Sequence, residues 1–203
     1  MDRAVALVQA YLQVNGYFTV AEYPVLEAVS RDDWRAATDL DMLALRFPGA
    51  GRSESDGNTS THRGSTAYEA DPELGLSAEG TDMIVGEVKE GRAEFNPAVR
   101  DPEVLSAALQ RFGCCKSDEA EQVTETLLRR GTVETSVGHR IRMVAFGARA
   151  DGRKAPVDRV ITTGHIVEYL RAHLKLHWDA FRQAQFKNEA LGFLAMLEKA
   201  ERG

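Results

Sequence analysis

Cysteine is scarce in this 203-residue chain: there are two, Cys114 and Cys115, side by side. Adjacent cysteines rarely bond to each other and lack the CxxC spacing of a metal knuckle. A disulfide framework and a Cys-rich zinc module are thereby excluded, and a reducing, cytoplasmic setting is expected. Long apolar runs are also missing. No stretch approaches the ~20 consecutive apolar residues of a membrane span, so no membrane partner is expected. The opening MDRAVALVQAYLQVNGYF has no apolar run followed by a small-residue cleavage site, so no secretory signal is expected. There is no GxSxG elbow for a serine hydrolase. His173 and His177 are spaced i, i+4, but no HExxH motif surrounds them, which argues against zinc. No internal repeat or low-complexity tract is present.

Cations are the minority charge, 25 Lys and Arg against 31 Asp and Glu. A net charge of -6 is not that of a bulk polyanion binder. The distribution is uneven. Gly16 to Glu90 holds fifteen acidic against six basic residues, whereas Gly138 to Val160 holds six basic against two acidic. Such a chain can hold a polyanion at one place and offer carboxylates to a cation at another. An ordinary mixed-charge surface accounts for the same numbers.

The length suggests one domain with an appended subdomain. Roughly 70% of the unfolded surface can be buried at this size, enough for a core without staples. Asp2 to Val14 has apolar residues at helical spacing and ends at Asn15-Gly16. Tyr17 to Leu26 and Ala37 to Phe47 read as strands, the second closed by Pro48-Gly49. Residues 49–80 are rich in Gly, Ser, Thr, Asp and Glu, and read as a long flexible insertion or a lid. Thr81 to Glu90 has the continuous apolar run of a buried strand. Helices follow at Asp101 to Phe112, with an Asp-Pro start, and at Glu119 to Arg130. Arg140 to Phe146 and Val160 to Thr162 are strands, and His165 to His173 is a helix. Leu176 to Lys199 reads as helical throughout, with Asn188 or its flanking residues as a candidate break. The fold class expected is mixed α/β: a central mixed sheet flanked by helices.

Two strands carry charge where strands rarely do. Asp41 interrupts the apolar run Leu40 to Leu45, and a lone buried carboxylate is costly unless paired or metal-bound. Glu87 and Lys89 lie two apart, so they share a strand face. If the two strands are neighbours, Asp41, Glu87 and Lys89 converge. Two carboxylates from different strands make a hard oxygen site for Mg²⁺ (or Mn²⁺) that can share phosphate oxygens. The ion polarises a phosphoryl group and acidifies a bound water. A neighbouring lysine orients that water, or takes its proton if its pKa is depressed. A charge pair on an edge strand is the plain structural explanation of the same triplet.

With Thr38-Asp39-Leu40-Asp41 followed by Gly86-Glu87-Val88-Lys89-Glu90-Gly91, the segment from Tyr11 to about Phe112 resembles the core of the PD-(D/E)xK nuclease-like superfamily. That core is a helix, three strands, a helix and a further strand, with an Asp on one strand and an acid-x-Lys on the next. No proline precedes the first acid here, and the insertion between the motif strands is long. The resemblance implies a restriction-endonuclease-like core over residues 1–163, carrying the 49–80 insertion, with a C-terminal helical extension over 164–203. It implies Mg²⁺ held by Asp41, Glu87 and the carbonyl of Val88, with Lys89 positioning the attacking water. Asp39 is a second ligand, or the first acid if the register is shifted. Glu27 is an accessory candidate from the preceding strand, and Gln110 a phosphate contact from the following helix.

Arg140 and Arg142 share a strand face and are candidates for holding nucleic-acid phosphates. Trp178, Phe181 and Phe186 read as packing residues, in the core or at a dimer seam. The expected activity is metal-dependent hydrolysis of DNA phosphodiesters, alone, as a homodimer or within a larger assembly. The alternatives are a catalytically idle nuclease-fold interaction module and a small-molecule phosphohydrolase.

Overall fold

Asp2 caps the first helix, its carboxylate accepting the N–H of Ala4 at 2.7 Å. That helix, α1 (Arg3–Val14), is followed by strands β1 (Phe18–Ala28), β2 (Trp34–Arg46) and β3 (Thr81–Arg92). Helices α2 (Pro102–Arg111) and α3 (Ala120–Arg130) come next, then β4 (Thr132–Glu134), β5 (His139–Arg149) and β6 (Arg159–Thr162). The chain ends with α4 (Thr163–Leu176), a single turn α5 (Trp178–Phe181) and α6 (Glu189–Arg202). Short 3-10 turns lie at Pro72–Leu74 and Pro97–Arg100. This computed structural model describes residues 2–28, 30, 33–51, 70–76, 80–150 and 157–202. Most of the 49–80 insertion therefore lies outside the described residues, as do Arg153 and Lys154. No helix among the described residues is long and apolar enough to cross a membrane.

Among the described residues six strands form one mixed sheet, five of them in the order β1-β2-β3-β5-β4 and β6 beside β5. β1, β2 and β3 make an antiparallel meander, and the stretch containing α2 and α3 crosses over to β5, which runs parallel to β3. β4 borders the first half of β5 and β6 the second, in opposite directions. Helices cover both faces. Met42, Ala44, Ile84, Val88, Val144 and Phe146 face α1, α4 and α6. Met83, Val85, Ile141, Met143 and Ala145 face α2 and α3. Burial on both faces is why β3 and β5 read as near-continuous apolar runs rather than alternating ones.

The C-terminal helices share a core cluster with α1: Ile166, Leu170, Leu174, Leu191 and Leu194 pack with Val8, Tyr11 and Leu12. The expectation of helix throughout Leu176 to Lys199 is corrected over 182–188, where the chain leaves the helix, and the break anticipated at Asn188 is present. Asn188 Oδ1 accepts the N–H of Leu191 at 3.0 Å, starting a new helix, while its Nδ2 donates to the carbonyl of Ala6 at 2.9 Å. An asparagine that caps one helix and ties it to another cannot also sit in a helix interior.

One irregularity sets up the rest. In a regular strand, residues two apart share a face. Here Met42 and Ala44 belong to one core layer and Leu40 to the other. On the paired strand Ala21 packs with the first layer and Tyr23 with the second. The slip falls at Glu22, whose φ is +52°, and at Asp41 on the neighbouring strand. A positive φ is strained for a side-chain-bearing residue, and it turns the strand by one face.

Candidate active site

β2 and β3 pair from Arg46 opposite Asp82 to Met42 opposite Gly86, and the ladder stops there. One residue beyond the last pair, Asp41 takes over the role of the missing main-chain acceptor. Its Oδ2 accepts the backbone N–H of Val88 at 2.9 Å. Extended backbone sends the N–H and C=O of one residue to the same side, so the Val88 carbonyl faces the same gap. Gly86 lets the strands approach closely at this end. A Cβ there would meet the Met42 Cβ and the Phe146 ring at 3.1 Å.

Glu87 and Lys89 point to the α2–α3 side of β3, with Met83 and Val85. Glu87 is 1% exposed and Lys89 39%. The Lys89 ammonium contacts Glu87 Oε1 and lies 3.8 Å from Asp41 Oδ2. The expected convergence of Asp41, Glu87 and Lys89 is thus present. Opposite them on β5 stand Ala145 and Gly147.

The electrostatics follow from burial. Desolvation is the largest influence on Glu87 and raises its pKa above the ordinary carboxyl value; Asp41 adds to this. Lys89 and a backbone hydrogen bond from Asn96 pull the other way without cancelling it. For Lys89, burial disfavours the charge, but the bond to Glu87 and the charges of Glu87 and Asp41 outweigh it. Its pKa is raised. In this state Lys89 is a held cation able to donate and orient, not a base poised to take a proton.

The donor set fits a hard divalent cation. Glu87 Oε2 is buried and has no hydrogen-bond partner, and an orphaned buried carboxylate oxygen is expensive without a cation. Asp41, Glu87 and the Val88 carbonyl are the oxygen donors around the gap. No cluster of three or more His, Cys, Asp or Glu side chains is gathered for a metal among the described residues. The protein would therefore supply few ligands and leave the rest to water and phosphate, the habit of Mg²⁺ sites.

Other expected residues lie apart. Asp39 is exposed and pairs across β1 with Pro24. The slip at Asp41 means that the two-residue alternation does not carry from Asp41 to Asp39. Glu27 pairs with Arg35, six residues along β2 from Asp41, or about 20 Å at the usual strand rise. Gln110 is exposed on α2 and donates to Ser106 Oγ at 3.0 Å, within its own helix.

The expectation that Arg140 and Arg142 form a phosphate-holding stripe is corrected. Both lie on the opposite sheet face from Glu87 and Lys89. Arg142 is 0% exposed, and donates to Asp82 at 2.8 and 2.7 Å and to Asp158 at 2.9 Å. It also donates to the Leu74 carbonyl and to Tyr17 Oη. Arg140 donates to the Gly75 carbonyl at 3.0 Å and contacts Asp158. Arg142 balances buried carboxylates and has no face for a nucleic acid. Arg140, half-buried, is engaged in the same network.

Sequence reasoning passed over Asn96. Its side chain accepts the Ala98 N–H at 3.1 Å and starts the turn at Pro97–Arg100, and its backbone N–H favours the charged form of Glu87. The Asn-Pro pair is a turn signal visible in the sequence. A second cluster was also missed. Asp71, buried, accepts from Tyr11 Oη at 2.8 Å and from the Glu73 N–H at 2.9 Å, and His165 Nε2 lies 2.6 Å from it. It ties the end of the insertion to α1 and α4. Cys114 and Cys115 are both free, and burial pushes the Cys114 thiol up to about 11, which suits an apolar filler rather than a reactive thiolate.

Comparison with protein-family models, curated proteins and solved structures found no match.

Proposed function

We propose that the chain is a metal-dependent nuclease that hydrolyses DNA phosphodiesters, with the PD-(D/E)xK-like arrangement of an acid on one strand and an acid-x-Lys on the next. The observation that carries this reading is the convergence of Asp41, Glu87 and Lys89 where β2 and β3 part, with Glu87 Oε2 buried and without a hydrogen-bond partner. A purely structural ion pair would gain little from keeping a second carboxylate oxygen dry and unbonded.

Each residue then has a task. Asp41 is held in place by the Val88 N–H, and with Glu87 and the Val88 carbonyl it would hold Mg²⁺ or Mn²⁺. The bound ion would supply charge neutralisation at the phosphoryl group and an acidified water. Lys89 reaches solvent, so its ammonium can orient the attacking water and offer a hydrogen bond to a developing negative charge. The order helix, three-strand meander, crossover, parallel strand supports the same reading, because it places the ends of β2 and β3 beside each other. The charge balance of -6 favours a partner or an assembly that helps to deliver the nucleic acid, in the cytoplasm.

The test is cleavage of plasmid and single-stranded DNA with Mg²⁺ or Mn²⁺, comparing the protein with Lys89→Ala. Cleavage by the wild type and loss in a folded Lys89→Ala variant are expected. Equal nicking by both would reject the assignment. Activity on mononucleotides but not on polymers would move the reading to a small-molecule phosphohydrolase. Neither cleavage nor divalent-ion binding would leave an idle interaction module.

A further inference from the structure

Resting on that reading, we infer that Lys89 is an internal competitor for the cation site, so that a divalent ion enters only by displacing its ammonium group from Glu87. The site as it stands is already partly neutralised. Its two carboxylates face one cation, the Lys89 ammonium, which contacts Glu87 Oε1 and stands 3.8 Å from Asp41 Oδ2. The two oxygens of one carboxylate are about 2.2 Å apart by their covalent geometry. An ion bound at the partnerless Glu87 Oε2 would therefore sit within a few ångströms of Lys89 Nζ. Two cations so close in a partly desolvated gap repel strongly.

The structure also shows how the conflict resolves. Asp41 is anchored by the Val88 N–H and Glu87 is enclosed, so neither carboxylate is free to move away. Lys89 is 39% exposed and sits on a flexible stem, and its side chain can swing toward solvent. The released ammonium is then placed at the mouth of the site, where a water or a substrate phosphate can accept its hydrogen bond. Lys89 thus sets how much divalent ion is needed to load the site, in addition to its role in the reaction.

Direct binding of Mn²⁺, read from the loss of the free-ion signal in electron paramagnetic resonance, tests this without any turnover. The full chain is titrated beside Lys89→Met, Lys89→Arg and Asp41→Asn. Removing a unit charge beside the ion should tighten Mn²⁺ binding in Lys89→Met by about tenfold. Lys89→Arg, which keeps the charge, should bind no more tightly than the wild type, which separates charge from packing. Asp41→Asn should lose binding. Unchanged or weaker binding by Lys89→Met, with wild-type binding that Asp41→Asn abolishes, would overturn the competition while leaving the metal site standing. Absence of binding in both the wild type and Lys89→Met would overturn both.

Discussion

Asp41 accepts the main-chain N–H of Val88 at 2.9 Å, one residue past the last β2–β3 pair. The carboxylate therefore serves two ends: it satisfies a strand amide and it places a negative charge beside Glu87. These roles separate by substitution. Asn keeps an oxygen for the Val88 N–H but removes the charge, whereas Ala leaves the amide without its partner. Asp41→Asn should melt within about 0.5 kcal/mol of the wild type, and Asp41→Ala should lose about 1–2 kcal/mol, the cost of an unsatisfied buried amide. Both should lose divalent-ion binding. Chemical denaturation of the three proteins in chelator checks the first point and calorimetry with Mn²⁺ the second.

Arg142 carries a structural prediction on the opposite sheet face. It is buried against Asp82, Asp158 and Tyr17. Removing it strands two carboxylates in a low-dielectric layer. Arg142→Met should cost about 3–5 kcal/mol, the usual result of breaking one side of a buried pair. Urea denaturation measures this. A loss under 1 kcal/mol would mean that the network holds little of the fold together.

How far the sequence led differs from residue to residue. Asp41, Glu87 and Lys89 were legible because each breaks a strand rule, and a broken local rule points to a site. The alternation that paired Arg140 with Arg142 was right about their shared face. It could not say that Tyr17 and the Leu74–Gly75 backbone stand against that face, nor that Asp82, sixty residues earlier in the chain, is waiting there. Asp39 was set beside Asp41 by the same alternation, which Glu22, at a φ of +52°, interrupts; no residue type at Glu22 announces a positive φ. β4 has three residues, too few for a period of two to register. A helix break at Asn188 was legible, but not its reach back over 182–188, because the Ala6 carbonyl that holds Asn188 lies at the other end of the chain.

His173 makes stability depend on pH. It is buried under Tyr169 and Phe181, and burial, aided by His177, lowers its pKa from 6.5 to about 4. The folded state prefers the neutral ring. Above pH ~6.5 neither state is protonated and the contribution is complete. As pH falls below that value the unfolded chain takes up a proton that the folded one does not, so stability drops until about pH 4. The full loss is roughly 3 kcal/mol. His173→Phe should flatten this part of the curve, measured as the difference between variant and wild-type unfolding free energies across that range. A difference that stays constant with pH would contradict the assignment.

Gly147 lies beside Lys89 on β5, and a Cβ there would come 2.7 Å from the Ala93 nitrogen. Ala93 leads into the segment that ends at Asn96. Gly147→Ala should therefore push this segment off β5 and cost about 1–3 kcal/mol, as overpacking does. It should also weaken Mn²⁺ binding, because the Asn96 backbone N–H favours the charged form of Glu87. Thermal unfolding and a Mn²⁺ titration of the same sample read both effects.

In the proposed site Asp41 and Glu87 share one divalent ion. Crystals grown or soaked in Mn²⁺ and measured at the manganese absorption edge test it directly. One anomalous peak is expected in the gap between β2 and β3, within about 2.0–2.4 Å of an Asp41 oxygen and of Glu87 Oε2, with Lys89 Nζ moved off Glu87. A gap without a peak in Mn²⁺-saturated crystals, with Lys89 still on Glu87, would contradict it.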